Sequence, residues 1–238
     1  MTINILLCDT FPGLLPSYIP SYVSMFTKLF DATGNQIEYR VYRAMDGHLP
    51  DDTIIGNSLY LITGCNLSVY DDVEWIRRLL KWIVRVHELK AKLVGVCFGH
   101  QAIAQALGGR VERAVEGWGG GVRESTIIDG SARKFFPDEK MRLLYNHHDQ
   151  VVALPAEAKL VAQSSFCPID SFRIGNHILT FQGHPEYTPE YEVHLIEHFA
   201  DNEPSLIKSE ALESIRLMEH QGLIVASWIL EWSRDRNI

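Results

Sequence analysis

A thiol, an imidazole and a carboxylate together can split an amide, and this sequence sets one of each where that chemistry is feasible. Cys97 stands in "GVCFGHQ" between Gly95 and Gly99. Small residues two positions either side of a nucleophile let it occupy a sharp strand-to-helix turn, exposed above the carboxyl edge of a sheet where open α/β folds bind ligands. The N-terminus of the helix expected next, over Gly99 to Leu107 and ended by Gly108, favours the thiolate through its dipole and free N–H groups. A lone cysteine is more often a core residue; the paired glycines turn this one towards catalysis.

A thiolate needs a base that can also protonate the leaving group, and a group that orients the base. "LTFQGHPEY" offers His184 and Glu186 after a strand, with Pro185 fixing the backbone between them. In extended chain, residues two apart project to one side, so Glu186 can take one imidazole nitrogen while the other faces the thiol. The oxyanion of a tetrahedral intermediate needs backbone donors. The N–H of Phe98 is one candidate, and that of Cys65 in "YLITGCNL" the other, with Gly64 permitting the turn. A Cys65–Cys97 disulfide would silence such an enzyme. A different class of mechanism is open to "YNHHDQV", where His147, His148 and Asp149, with His184, offer zinc ligands. No HExxH or similar spacing supports it, and no metal is expected; the plainer reading makes this loop a pocket wall that anchors substrate.

These residues need a scaffold, and the periodicity supplies one. Strand-like runs at Ile3 to Cys8, Ile37 to Tyr42, Leu59 to Thr63 and Leu93 to Val96 alternate with helical runs at Ser17 to Phe30 and Val73 to Val86, the latter with Asp71 and Glu74 spaced as a capping box. The alternation predicts a doubly wound, mostly parallel sheet with helices on both faces. After Gly109 come short strand candidates at Val122 to Ile128, Met141 to Tyr145, Lys159 to Gln163, Asp170 to Ile174 and His177 to Phe181, which read as a small inserted β-region. Leu206 to Trp232 reads as one long helix or two divided at Gly222, its Trp228 and Trp232 packed on the core. Residues 1–200 form the expected α/β domain and 201–238 a helical extension on it.

Composition narrows the partners. A formal charge of -8 without basic runs argues against a nucleic-acid surface. The start "MTINILLCDT" lacks a basic lead and reads as a first strand, no apolar run reaches ~18 residues, and four cysteines lack paired spacing. A soluble protein of a reducing, cytoplasmic compartment, free of membrane, is expected.

With these motifs in order, the chain resembles the class I glutamine amidotransferases with a Cys-His-Glu triad over Ile3 to about Ala200, similar to the glutaminase domain of GMP synthase and to γ-glutamyl peptidases. The resemblance rests on "TGCN", "GVCFGHQ", "GWGGGV", "NHHDQV" and "QGHPEY". It implies Cys97 as nucleophile, His184 as base and acid, Glu186 as orienter, Cys65 and Phe98 as oxyanion donors, and Gln101, Asn146 and His147 as contacts to a small γ-glutamyl substrate, without a cofactor. Gly64-Cys65-Asn66 stands where the family usually has Gly-Gly-Pro, and Asn146 where it usually has serine. No GxxxxGK[ST] loop accompanies the domain, and "GWGGG" lacks a lysine. The expected function is hydrolysis of glutamine through a γ-glutamyl thioester, either feeding ammonia to a separate synthetase subunit or, alternatively, as a free-standing γ-glutamyl peptidase; an inactive scaffold is the reading least compatible with an intact triad.

Overall fold

The computed structural model describes residues 1–10, 21–51, 53, 55, 56 and 58–235. Its framework is a nine-stranded sheet built from β1 (Thr2–Leu7), β2 (Glu38–Arg43), β3 (Leu59–Ile62), β4 (Lys92–Val96), β6 (Gly119–Ile127), β7 (Lys140–His147), β9 (Ala158–Gln163), β10 (Ser171–Ile174) and β11 (Ile178–Phe181). The spatial order is β2-β1-β3-β4-β11-β10-β9-β6-β7. From β2 to β11 neighbours run parallel, and from β11 onwards each pairing is antiparallel. The region anticipated as an insertion thus extends the same sheet. Two strands not anticipated, β5 (Arg110–Arg113) and β8 (Asp149–Ala153), pair as a separate ribbon.

Alternation along the central strands sorts the core into two layers. Ile3, Ile5, Leu61 and Val94 face α1 (Tyr22–Asp31) and α6 (Gly222–Arg234). Leu6, Tyr60, Ile62 and Leu93 face α2 (Glu74–Glu88) and α3 (Phe98–Ala106). Burial on both faces is why these strands read as near-continuous apolar runs. The helix expected from Ser17 is described from Tyr22, capped by Ser21, whose side chain accepts from Ser24 N–H; its expected first residues lie outside the described ones.

One local expectation fails. Asp71 and Glu74 do not form a capping box: α2 starts at Glu74 with Val73 as its uncapped N-cap residue, and the Asp71 carboxylate turns back to accept from Ser68 N–H at 2.9 Å. The chain is still in a turn there, so the aspartate satisfies the loop instead of the helix. The tail is two helices, α5 (Ser205–Leu217) and α6, divided where Gly222 begins the second. A Cβ on Gly222 would lie 2.1 Å from the Pro185 carbonyl, so the glycine lets α6 close against the segment that carries His184. Trp228 is buried against Phe136 and Phe181, edge-on at 6.0 and 5.3 Å, contacts worth about 0.5–1.5 kcal/mol each. A further helix, α4 (Pro189–Phe199), not anticipated, starts just past Glu186, where Thr188 as cap, Pro189 in the first turn and Glu190 after it form a local start signal.

Candidate active site

The corner at Cys97 forms because the residues two positions to either side of it have no side chains. A Cβ on Gly95 would sit 2.5 Å from the Gly99 backbone, and one on Gly99 would sit 2.4 Å from the Ile62 carbonyl. Only glycine lets α3 lie this close to β3 and β4. Between them Cys97 takes φ 52 and ψ −105, a left-handed conformation for a residue with a side chain. Its N–H donates to the Phe181 carbonyl at 2.8 Å, which joins the corner to the end of β11.

Just past that end, His184 N–H donates to the Leu144 carbonyl at 2.7 Å and the ring stacks on Tyr187 at 3.8 Å. His184 Nδ1 lies 2.8 Å from Glu186 Oε1, both residues almost fully buried. Burial alone would strip the second proton from this imidazole; the Glu186 carboxylate and then the Cys97 sulfur outweigh it and push the His184 pKa up to about 10. Nε2 has no well-formed hydrogen bond, and Cys97 is the group it faces.

Gly64 and Cys65 follow β3 across from the corner. A Cβ on Gly64 would press to 2.9 Å from His184 Cε1, so the glycine makes room for the imidazole. No hydrogen bond to a described residue takes up the N–H of Cys65 or of Phe98. All four cysteines carry free thiols.

The residues of "YNHHDQV" belong to the end of β7, a bend at His148 and the start of β8, and their side chains diverge. His147 Nδ1–H donates to the Asp149 carbonyl at 3.0 Å, His148 Nε2 meets Glu203 at 2.7 Å, and the Asp149 carboxylate accepts from Ser68 Oγ at 2.5 Å and Tyr70 OH at 2.9 Å. Among the described residues no three His, Cys, Asp or Glu side chains converge on a point a metal ion could share. Burial, aided by the Arg123 charge, pushes the His147 pKa down to about 3, so its ring stays neutral.

Gln101 and Asn146 are at the pocket, but their amides are largely spoken for. Gln101 Nε2 donates to the Asp149 carbonyl at 2.8 Å and to Gln182 at 3.1 Å. Asn146 Oδ1 accepts from Trp118 Nε1 at 3.0 Å, and its amide reaches Glu192. Glu192, fully buried on α4, also accepts from Gly121 N–H at 3.3 Å; burial raises its pKa to about 8. Sequence reading missed this clamp. The "GWGGG" run serves it: a Cβ on Gly120 would strike the Trp118 ring at 2.2 Å, and one on Gly121 would strike Ser214 on α5 at 2.4 Å. The glycines are seats for an indole and a helix.

Together these groups line a pocket of about 400 Å³ containing Cys65, Cys97, Gln101, Asn146, His147 and His184, with Arg113, His148, Phe199 and Glu203 among its other lining residues. A family model described as Glutamine amidotransferase class-I matches residues 56–202. γ-Glutamyl peptidase 3 of Arabidopsis thaliana is 33% identical over 160 residues, 64% of this chain and 64% of its own, so the match spans just under two thirds of that relative. A putative glutamine amidotransferase of Saccharomyces cerevisiae is 32% identical over 171 residues, 69% of this chain and 68% of its own. The crystal structure of a glutamine amidotransferase from Thermotoga maritima superposes with a TM-score of 0.72 at 18% identity, covering 98% of each chain, a likeness of fold.

Proposed function

The chain belongs to the class I glutamine amidotransferase family, and from that premise we propose that it hydrolyses γ-glutamyl amides through a thioester on Cys97. The observation that carries the reading is the line of groups from Glu186 through His184 to the sulfur: a carboxylate 2.8 Å from one imidazole nitrogen and the thiol facing the other. An imidazole so paired keeps its second proton and stabilises a thiolate beside it.

In the proposed cycle the Cys97 sulfur attacks the γ-carbonyl carbon and a C–S bond forms. The oxygen gathers negative charge, which the N–H groups of Cys65 and Phe98 receive. His184 then gives its Nε2 proton to the departing amine as the C–N bond breaks. Water enters, His184 takes one of its protons, and the hydroxide so generated displaces the sulfur to release a free carboxylate. Glu186 holds the ring through both halves. Asn146, His147 and Gln101 wall the γ-glutamyl side, Asn146 as a clamped element between Trp118 and Glu192.

The same cycle serves glutamine, with ammonia leaving, or a γ-glutamyl peptide, with an amino acid or peptide leaving. Two observations favour the peptide: relatives carry the name γ-glutamyl peptidase, and the pocket, at about 400 Å³, is in the size range that takes ligands larger than one amino acid. The purified chain, alone, should release glutamate from γ-glutamyl dipeptides faster than from glutamine, and Cys97→Ala should abolish both. Parental turnover by Cys97→Ala would sink the mechanism. Activity on glutamine that emerges only when a synthetase is added would restore the partner-dependent reading.

A further inference from the structure

The protein is acid-rich, at -8, and its arginines mostly find carboxylates: Arg43 pairs with Asp46, Arg85 with Glu88, Arg133 with Glu139, Arg142 with Glu124 and Arg173 with Asp129. Arg113 pairs with none among the described residues, yet it lines the Cys97 pocket. It ends β5, opposite Asp149 of β8, and is exposed. Two acids that line the same pocket are already taken. The Asp149 carboxylate is held by Ser68 and Tyr70, and Glu203 by His148. A guanidinium left without an anion at the rim of a pocket is matched to a planar carboxylate brought by the ligand, which it can grip with two parallel N–H bonds.

A γ-glutamyl peptide brings two carboxylates, the α-carboxylate of its glutamyl part and the C-terminal carboxylate of its leaving part. Position separates them. The buried groups Gln101 and His147, with Cys97 and His184, enclose the inner pocket, whereas Arg113 stands in solvent at the rim. The leaving amine must depart, and water must enter, through the exposed rim, where Asn66, Leu67 and Phe199 also stand and Arg113 is the cationic side chain among them, so the leaving group lies towards the rim. Resting on the γ-glutamyl hydrolase reading above, we propose that Arg113 binds the C-terminal carboxylate of the leaving group, so that the enzyme selects γ-glutamyl peptides ending in a free acid.

The test is binding to the Cys97→Ala protein, which keeps peptides intact. Calorimetry would compare γ-Glu-Ala and γ-Glu-Ala-Gly with their C-terminal amides. The free acid of at least one peptide should bind about 10-fold more tightly than its amide, the size expected of one charge-assisted contact partly exposed to water. Added salt should shrink the gap. Arg113→Gln should raise the Kd of the free acid to that of the amide, and Arg113→Lys should restore part of the difference. The inference is overturned if acid and amide bind Cys97→Ala alike, if neither binds, or if Arg113→Gln weakens both equally, the last result giving Arg113 to the α-carboxylate. Failure of the parent reading has a separate signature: an intact enzyme that cleaves no γ-glutamyl compound, whatever the binding data show.

Discussion

His184 with Glu186 and His147 with Asp149 have the same spacing, a histidine and an acid two residues on, and both histidines are buried in the wall of one pocket. They hold protons in opposite ways. His184 is pushed up to about 10 and His147 down to about 3. Burial acts on both in the same direction, so the partner decides. Glu186 gives His184 a carboxylate; His147 receives only the backbone carbonyl of Asp149, whose carboxylate is drawn away by Ser68 and Tyr70. One pair is equipped to move a proton. The other fixes a wall and ties the loop after β3 to the start of β8.

The largest expected difference is in turnover. His184→Gln should lower kcat by about 10³-fold or more, within the range for loss of general acid–base catalysis, while His147→Gln should act mainly on KM and by about 10-fold or less. Steady-state kinetics on one γ-glutamyl peptide would break the contrast if the two variants fell together. Next in size is Glu186→Gln. It should cost about 10²-fold or more in kcat, within the range of general acid–base catalysis, and shift the pH profile: with the carboxylate present the alkaline limb should fall as pH passes about 10, and without it that limb should move towards the ordinary histidine range. An unmoved limb would show that something other than Glu186 holds the proton.

A smaller effect is expected when the tie is cut. Ser68→Ala with Tyr70→Phe frees the Asp149 carboxylate, and NMR titration should then find the His147 pKa raised from about 3, with a several-fold rise in KM. The smallest concerns stability. His147 accepts a proton near pH 6.5 when unfolded and only near 3 when folded, so the unfolded chain binds more protons between those values. Its contribution is fully present above about pH 6.5 and is lost as pH falls towards 3. His147→Gln should therefore flatten the decline of Tm between pH 6.5 and 4, and an unchanged slope would count against a neutral His147.

Much of this was legible in the sequence because the features are local. Gly95, Cys97 and Gly99 lie within one turn, so the corner could be read from spacing, and the structure gives the reason in distances of 2.4 and 2.5 Å. The parallel strands were legible because they are buried on both faces. The Trp118–Asn146–Glu192 clamp was not, since its members are far apart in sequence and meet only after β6, β7 and α4 assemble. β5 reads "RVER", with one buried residue in four, too little apolar signal to show a strand. Asp71 misled for the converse reason: a local pattern that fits a helix cap also fits a turn, and only the turn had an N–H within reach.

The left-handed backbone at Cys97 sets the thiol against the stability of its own corner. A side chain held there costs about 1–3 kcal/mol, and glycine would adopt the conformation freely. Folding therefore does not require a thiol at 97: Cys97→Gly should keep the corner and gain a margin against heat while losing the thiol, so the most heat-stable form of this corner is one that cannot carry the proposed chemistry.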